Sequence, residues 1–474
     1  MPREYRRAHR GKSVAQGAER GLAPRARSTA LWGQSAPLPE PAKQEVTYTR
    51  HKPKKAHPGR ASLPEHLPVE EIVLEPQGVD TAGLECIGQE VTDTLDYRPG
   101  KLVIIRRIRP KYARPEADGS TTVLVADLPS RSIDKGIPEP GLLAELCVAK
   151  YVDHLPFYRQ IKRFERDHGW VVHKATVGDW FAATCSLLEP LYQQLLRTVV
   201  DSDYLQVDES TIKVLASEKK GKAHLGYQWV YRDPDSGLVL FDYRKGRGVH
   251  GVMERLADFA GYLQTDGYKA YETYLRKHPQ VTGVSCLAHI RRKFFEAREQ
   301  HPRLAELALA AIGFLYHVEA HCRKRGRSAA ERLALRRRVS RPVYEALLDW
   351  AEYEQKNNLS SGAIGKALKY ARDQLPRLSP CFRDGRLEVD NNLIENSIRP
   401  LALGRKNYLF AGSHEGARRA AMLYSFFASC QRLEVNPRAW LRDILERIPD
   451  HPVNRLDELL PHRWAEAPAE VSTQ

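Results

Sequence analysis

Two apolar, strand-like runs in this chain each end on an aspartate, and a third segment places a glutamate one helical turn past its start. The runs are Tyr204-Leu-Gln-Val-Asp208-Glu209-Ser-Thr and Gly261-Tyr-Leu-Gln-Thr-Asp266-Gly-Tyr. The third segment is Asp390-Asn-Asn-Leu-Ile-Glu395-Asn-Ser-Ile-Arg399-Pro. A carboxylate at the end of a buried strand is costly unless something compensates its charge. Three of them converging on one spot repel each other unless divalent cations lie between them, and hard cations such as magnesium take oxygen ligands of this kind. Two such ions about 4 Å apart can activate a water or a hydroxyl and stabilise the leaving oxygen of a phosphodiester.

The rest of the composition points to the substrate such chemistry needs. The chain carries 74 Lys and Arg against 59 Asp and Glu, a formal charge of +15, with a pI near 9.4. A solvated basic face is one reading of that excess; a polyanionic partner is the reading favoured here. Residues 1–60 alone hold fourteen Lys or Arg against four Glu and no Asp. The seven cysteines, an odd number without paired spacing, suggest reduced thiols and not a disulfide framework. The richest apolar stretch, Ala420 to Cys430, is too short to span a bilayer, and the Arg-rich start lacks the apolar core of a signal peptide. The expectation is a soluble, cytoplasmic protein with no membrane partner. At 474 residues it should fold as two to four domains.

Residues 1–75, rich in Arg, Pro, Ala and His, read as a mostly disordered basic arm able to hold DNA phosphates. Residues 76–138 read as a small β unit and a linker: alternation from Glu90 to Arg109 around a Pro99-Gly100 turn suggests strands, and 111–138 a Pro-, Asp- and Ser-rich connection. Residues 139–200 read as helical, with segments at Leu142–Tyr151 and Pro156–Arg166. Thr176-Val-Gly-Asp179 resembles a capping box opening a third helix. A helix-turn-helix that reads a major groove fits this pattern; so does an ordinary helical hairpin docked on the next domain.

Residues 201–299 hold the clearest order. Strands are expected at Tyr204–Val214, His224–Arg232 and Leu238–Tyr243, the last two joined by Asp233-Pro-Asp-Ser-Gly237. A helix over Val249–Ala260, a short strand ending at Asp266, a helix Lys269–Lys277, a strand Val281–Cys286 and a basic helix from Ala288 follow. This is the order of an α/β, ribonuclease-H-like domain. There the first and fourth strands are neighbours, so Asp208 and Asp266 would meet although 58 residues separate them. Residues 300–385 read as a helical insertion, with a capping box at Ser328-Ala-Ala-Glu331 ahead of a long helix kinked by Pro342. Residues 386–450 complete the core, with caps expected at Ser413 and Asn436, and 451–474 form a tail.

Taken with Cys286-Leu-Ala-His289-Ile-Arg-Arg-Lys-Phe and Arg399-Pro-Leu-Ala-Leu-Gly-Arg-Lys-Asn407, the three carboxylate motifs resemble those of the transposases of bacterial insertion sequence 66, from about residue 85 to about 450. The resemblance implies a ribonuclease-H-like fold, an Asp208–Asp266–Glu395 triad, and magnesium-dependent cutting and rejoining of DNA at an element's ends. It also implies small accessory proteins as partners. Two departures stand out. The family's paired cysteines reduce here to Cys86, too few for a tetrahedral zinc site, so no structural zinc is expected. The family's heptad-patterned first helix is not visible in residues 1–40, which reads as a truncated or frame-shifted start.

The site residues then divide by role. Asp208, Asp266 and Glu395 are the expected catalytic and metal-ligating carboxylates for two Mg2+ (or Mn2+) ions. Glu209 points to the opposite side of its strand and stays outside the triad. Asp390 competes with Glu395 for the third place, though its position also suits an N-cap. His289, Arg291, Arg292, Lys293, Arg399, Arg405 and Lys406 are the expected DNA-binding residues. Against that, His289 suits a backbone hydrogen bond at a helix start, and Arg399 an intrahelical pair with Glu395. The resulting expectation is a DNA transposase acting as a homo-oligomer on element ends and target. A nuclease without strand joining and a DNA-binding remnant are the alternatives.

Overall fold

A five-stranded mixed sheet forms the centre of the computed structural model, which describes residues 130–466 apart from 135, 216–221 and 249, together with 100–102, 104–105 and the strands at 111–115 and 121–125. All of these lie in one compact unit, residues 95–474. The sheet begins with β3 (Tyr204–Leu215), β4 (Ala223–Arg232) and β5 (Val239–Arg244), an antiparallel meander. The Asp233–Gly237 turn between β4 and β5 has the chemistry expected of it. Asp233 accepts from the Asp235 amide (2.9 Å) and the Ser236 hydroxyl, and Gly237 takes φ +74.

Helix α4 (His250–Arg255) then leads to β6 (Gly261–Gln264), α5 (Lys269–Lys277) and β7 (Val281–Val284). Strand β6 pairs in parallel with β3, Gln206 opposite Gln264, and β7 in parallel with β6, giving the order β5-β4-β3-β6-β7. The adjacency of first and fourth strands read from the sequence is therefore present.

Helices cover the sheet. Three precede it: α1 (Pro140–Tyr151), α2 (Phe157–His168) and α3 (Lys174–Val200). Helix α3 buries Val177, Trp180, Phe181, Leu188, Leu191 and Leu195, and the Tyr192 hydroxyl donates to the Phe241 carbonyl of β5 (2.6 Å). The buried side of α3 therefore packs on β5 and on the helices beside it. The expected capping box is corrected: α3 starts two residues before Thr176, at Lys174, with no side-chain cap. Its entry is set by Trp170 stacking on Trp180 at 6.2 Å.

After β7 come α6 (Leu287–Ala297), α7 (Pro302–Lys324), α8 (Ala329–Leu335), α9 (Arg341–Asn357) and α10 (Ala363–Gln374); α6, α7, α9 and α10 share a second core with Tyr204 and Val284. The Ser328–Glu331 capping box opens α8 as expected. The long kinked helix beyond it is corrected to α8, a π-helical turn at Arg336–Ser340, and α9 with Pro342 in its first turn. The guanidinium of Arg336, 1% exposed, reaches Glu319 (2.7 Å) and the Leu387 carbonyl (2.9 Å), a local anchor for the distorted turn.

The last helices are α11 (Asn392–Tyr408), α12 (His414–Arg432), α13 (Pro437–Arg447) and α14 (Pro461–Glu466). Ser413 and Asn436 cap α12 and α13 with their side chains. Met422, Leu423, Tyr424, Phe426 and Phe427 are buried in the main core; two α12 hydroxyls, Ser425 and Ser429, accept from β5 amides at 2.8 and 2.9 Å. Each such aromatic or aliphatic side chain contributes roughly 1.5–3 kcal/mol by leaving water.

A two-stranded β unit follows the Glu90–Arg109 stretch in which strands were expected. An antiparallel pair, β1 (Lys111–Pro115) and β2 (Thr121–Val125), lies in the stretch read as a connection, where Thr121-Thr-Val-Leu-Val125 supplies β-branched residues. Gly100–Leu102, Ile104 and Ile105 are in no strand, and the remainder of the expected unit, the basic arm and Cys86 lie outside the described residues. Helix α4 is shorter than expected. It ends at Arg255 because the Leu256 carbonyl accepts from the Tyr274 hydroxyl (2.6 Å) and the Phe259 amide (3.2 Å).

Candidate active site

Asp208 and Asp266 stand two residues beyond the paired Gln206 and Gln264, past the carboxyl end of the parallel β3–β6 ladder, the part of a parallel sheet where ligands are usually met. Burial chiefly, then the charges of Glu209, Asp266 and Glu395, push the Asp208 carboxyl up to about 8 from its ordinary 3.8. The Glu209 amide, donating to Asp208 Oδ1 at 2.8 Å, pulls the other way.

Asp266 sits in the turn after β6. Its Oδ1 accepts from the Tyr268 amide (2.9 Å), and its carbonyl from the Tyr370 hydroxyl of α10 (2.7 Å). Gly267 makes that turn at φ +83, with the Gln374 side chain 3.0 Å from where a Cβ would stand. A larger residue would be strained there on both counts.

Glu395 lies in the first turn of α11, its amide donating to the Asn391 carbonyl (3.2 Å). Its Oε1 is 4.0 Å from His289 Nε2. Asp390 precedes the N-cap residue Asn391 and folds back on the start of α11: Oδ1 accepts from the Asn392 amide (3.0 Å) and Oδ2 from its side-chain amide (2.7 Å), while burial pushes its carboxyl up. Glu209 has its own partners beside the site, with Arg247 on Oε1 (2.7 Å) and the Tyr271 hydroxyl on Oε2 (2.8 Å). The Arg247 guanidinium also lies 3.9 Å over the Tyr268 ring, a cation–π clamp on the Asp266 turn.

The basic residues take distinct places. His289 is on α6, its Nδ1 buried with no hydrogen-bond partner among the described residues. Arg291 and Arg292 are exposed beside it, and Lys293 pairs with Glu296 at 3.2 Å. Arg399 and Lys406 are exposed on α11; among the described residues Arg399 forms no ion pair with Glu395. Arg405 donates to the Thr211 carbonyl and hydroxyl, tying α11 to β3, so its guanidinium already has structural partners. Sequence reading missed Tyr268, Arg247 and Tyr370: Tyr268 lay within a quoted motif, but nothing local marked the other two.

Among the described residues, no group of three or more His, Cys, Asp or Glu side chains is gathered tightly enough to hold a metal ion. The donor set nevertheless suits a hard divalent cation by chemistry. All three groups are carboxylates, and Asp208 is pushed toward its protonated form by burial first and then by like charges that a cation would offset.

Sequence comparison assigns the chain to a family. The model of the Transposase IS66 family matches residues 135–419, from α1 through the Glu395 helix into α12. The chain belongs to that family. The IS66 C-terminal element matches residues 425–462, and an element described as Transposase C of IS166 homeodomain matches 17–72. The latter covers the stretch where no heptad helix was read, so that departure is corrected: the family's N-terminal element is recognisable there. Three relatives from Sinorhizobium fredii (strain NBRC 101917 / NGR234) are similar over most of their length. Uncharacterized protein y4qI is 35% identical, covering 86% of this chain and 78% of the relative. Uncharacterized protein y4jD is 32% identical over 85% and 81%, and Uncharacterized protein y4hP 30% over 87% and 78%. Among the described residues of this transposase-family chain no helix is long and apolar enough to cross a membrane.

Proposed function

We propose that this chain is a transposase that cuts DNA at the ends of an insertion sequence and joins the freed 3′ hydroxyls to target DNA. The observation that carries the reading is the parallel β3–β6 pairing, which sets Asp208 and Asp266 past the same strand ends with Glu395 in electrostatic reach. The sheet order supports a ribonuclease-H-like core, residues 201–299 and 386–450, interrupted by a helical insertion at 300–385. The regions before it, 76–138 and 139–200, serve as a β unit and a helical buttress.

Asp208 with Asp266, and Asp208 with Glu395, would hold two Mg2+ or Mn2+ ions, which when bound acidify the attacking water or hydroxyl and offset charge on the leaving oxygen. Around them, Asp208 keeps a proton while the carboxylates stand alone and releases it when their repulsion is relieved. His289 Nε2 faces Glu395 and contacts the scissile phosphate or a flanking base. Exposed Arg291, Arg292, Arg399 and Lys406 hold phosphate oxygens on either side; Lys293 shares its charge with Glu296 and contributes less. No covalent enzyme intermediate is required, and phosphorus inverts at each step. Pairing two element ends calls for a homo-oligomer on DNA, aided by small accessory proteins.

The test is cleavage and joining on DNA carrying the element's own ends, with and without magnesium, for wild type and Asp208→Asn. Metal-dependent joining that consumes a free 3′ hydroxyl and is lost in the variant supports the reading. Cutting without joining would reassign the chain as a nuclease, and binding without either as a DNA-binding remnant.

A further inference from the structure

Directly behind the two aspartates the sheet buries side chains that an apolar strand core does not need. Gln206 and Gln264 are both fully buried and face each other across the parallel ladder. Gln206 Nε2 donates to Gln264 Oε1 (2.9 Å) and to the Asp390 carbonyl (3.3 Å). Gln264 Nε2 donates to the carbonyls of Glu388 (2.7 Å) and Ser285 (3.3 Å). The Tyr204 hydroxyl donates to Gln264 Oε1 (2.7 Å) and accepts from the Glu388 amide (3.0 Å). Arg232 Nη1 completes the set by donating to Gln206 Oε1 (3.0 Å).

Three backbone atoms of Glu388–Asp390 are thus gripped by side chains of β3 and β6. The same segment is fastened to the start of α6, with the Leu287 amide donating to the Val389 carbonyl at 2.9 Å. Helix α11 starts directly afterwards, and Glu395 is in its first turn. Gln206 and Asp208, two apart on β3, share a face, and Asp266 follows Gln264 by two residues just past the end of β6. The residues next to Asp208 and Asp266 therefore hold the segment that presents Glu395. Buried polar groups bonded to one another in this way favour one geometry, because each displaced partner is left unsatisfied.

We propose that Tyr204, Gln206 and Gln264 are positioning residues: they set the approach of Glu395 to Asp208 and Asp266, and through it the metal affinity of the carboxylate centre. This rests on the transposase reading given above. Outer partners that orient metal-ligating carboxylates typically change metal affinity about 10–100-fold when removed.

The test uses the full chain with Tyr204→Phe, which removes one hydroxyl and keeps the ring, and Gln264→Leu, which removes the central amide. Amide hydrogen exchange is followed without metal, and Mn2+ binding is measured by calorimetry without DNA. The expected result is exchange at residues 389–395 faster by about tenfold or more, with β4 and α12 unchanged, and Mn2+ affinity weakened about 10–100-fold. DNA cutting should then need more metal, with its rate recovered at saturating Mn2+. Variants whose 389–395 exchange and Mn2+ affinity match wild type would overturn the proposal. If Gln264→Leu does not fold, Tyr204→Phe decides alone. Wild type that binds no Mn2+ and cuts no DNA would defeat the transposase reading itself, while the exchange data would still report whether the network holds the α11 start.

Discussion

At Asp208 stability and function pull in opposite directions. The carboxyl is buried among like charges, and its folded value of about 8 lies above the ordinary 3.8. The native state therefore binds a proton that the unfolded chain has already lost between those values. Its favourable contribution is fully present below about pH 4 and disappears as pH rises toward 8. Asp208→Asn should accordingly be more stable than metal-free wild type, by on the order of 1 kcal/mol or about 2–4 °C in Tm. The gap should widen from pH 5 to 8 and close when Mg2+ is added. Thermal melts of both proteins across that range check this; a variant less stable than wild type at pH 8 would contradict it. The same substitution should abolish cutting.

At the scale of elements, the insertion depends on one buried pair. Arg336 and Glu319 side chains are 1% and 2% exposed, and Arg336 also bonds two carbonyls of the segment leading back to α11. Arg336→Met alone should cost about 3–5 kcal/mol by stranding the Glu319 charge, and adding Glu319→Leu should recover much of it. Chemical denaturation of the single and double variants measures both. Elements were readable in the sequence where local chemistry decided them. The β3–β5 meander follows from alternation and the Asp233–Gly237 turn, the α8, α12 and α13 starts from Ser328, Ser413 and Asn436. Where distant contacts decided, the sequence was silent: Trp170 on Trp180 sets the α3 start, the Tyr274 hydroxyl ends α4, and Arg336 anchors the π turn. In the candidate site the three carboxylates stood out because two follow apolar runs and the third lies in the first turn of a helix. Gln206 and Gln264 did not, since an isolated glutamine in a strand reads as an ordinary solvent-facing position. Only the parallel register shows both buried and facing each other.

The whole molecule is a strongly basic chain, +15 in formal charge, built around an acidic centre. DNA binding should therefore be dominated by phosphate contacts and fall steeply with salt. Arg399→Ala and Arg291→Ala should each weaken binding similarly for all sequences and reduce the log–log salt slope by about 1. Arg405→Ala should instead lower stability, because it unties α11 from Thr211. Titrations of DNA binding at several salt concentrations separate these outcomes. The central claim is that Glu395 joins Asp208 and Asp266 in one metal-dependent centre. Its most direct test is strand joining on DNA with the element's own ends, in Mg2+, with accessory proteins supplied, comparing wild type with Glu395→Gln. The account predicts joining by wild type and its loss in the variant by at least about 100-fold, with DNA binding retained. Joining that survives in Glu395→Gln would contradict it, and would move the third carboxylate to Asp390 or remove the triad altogether.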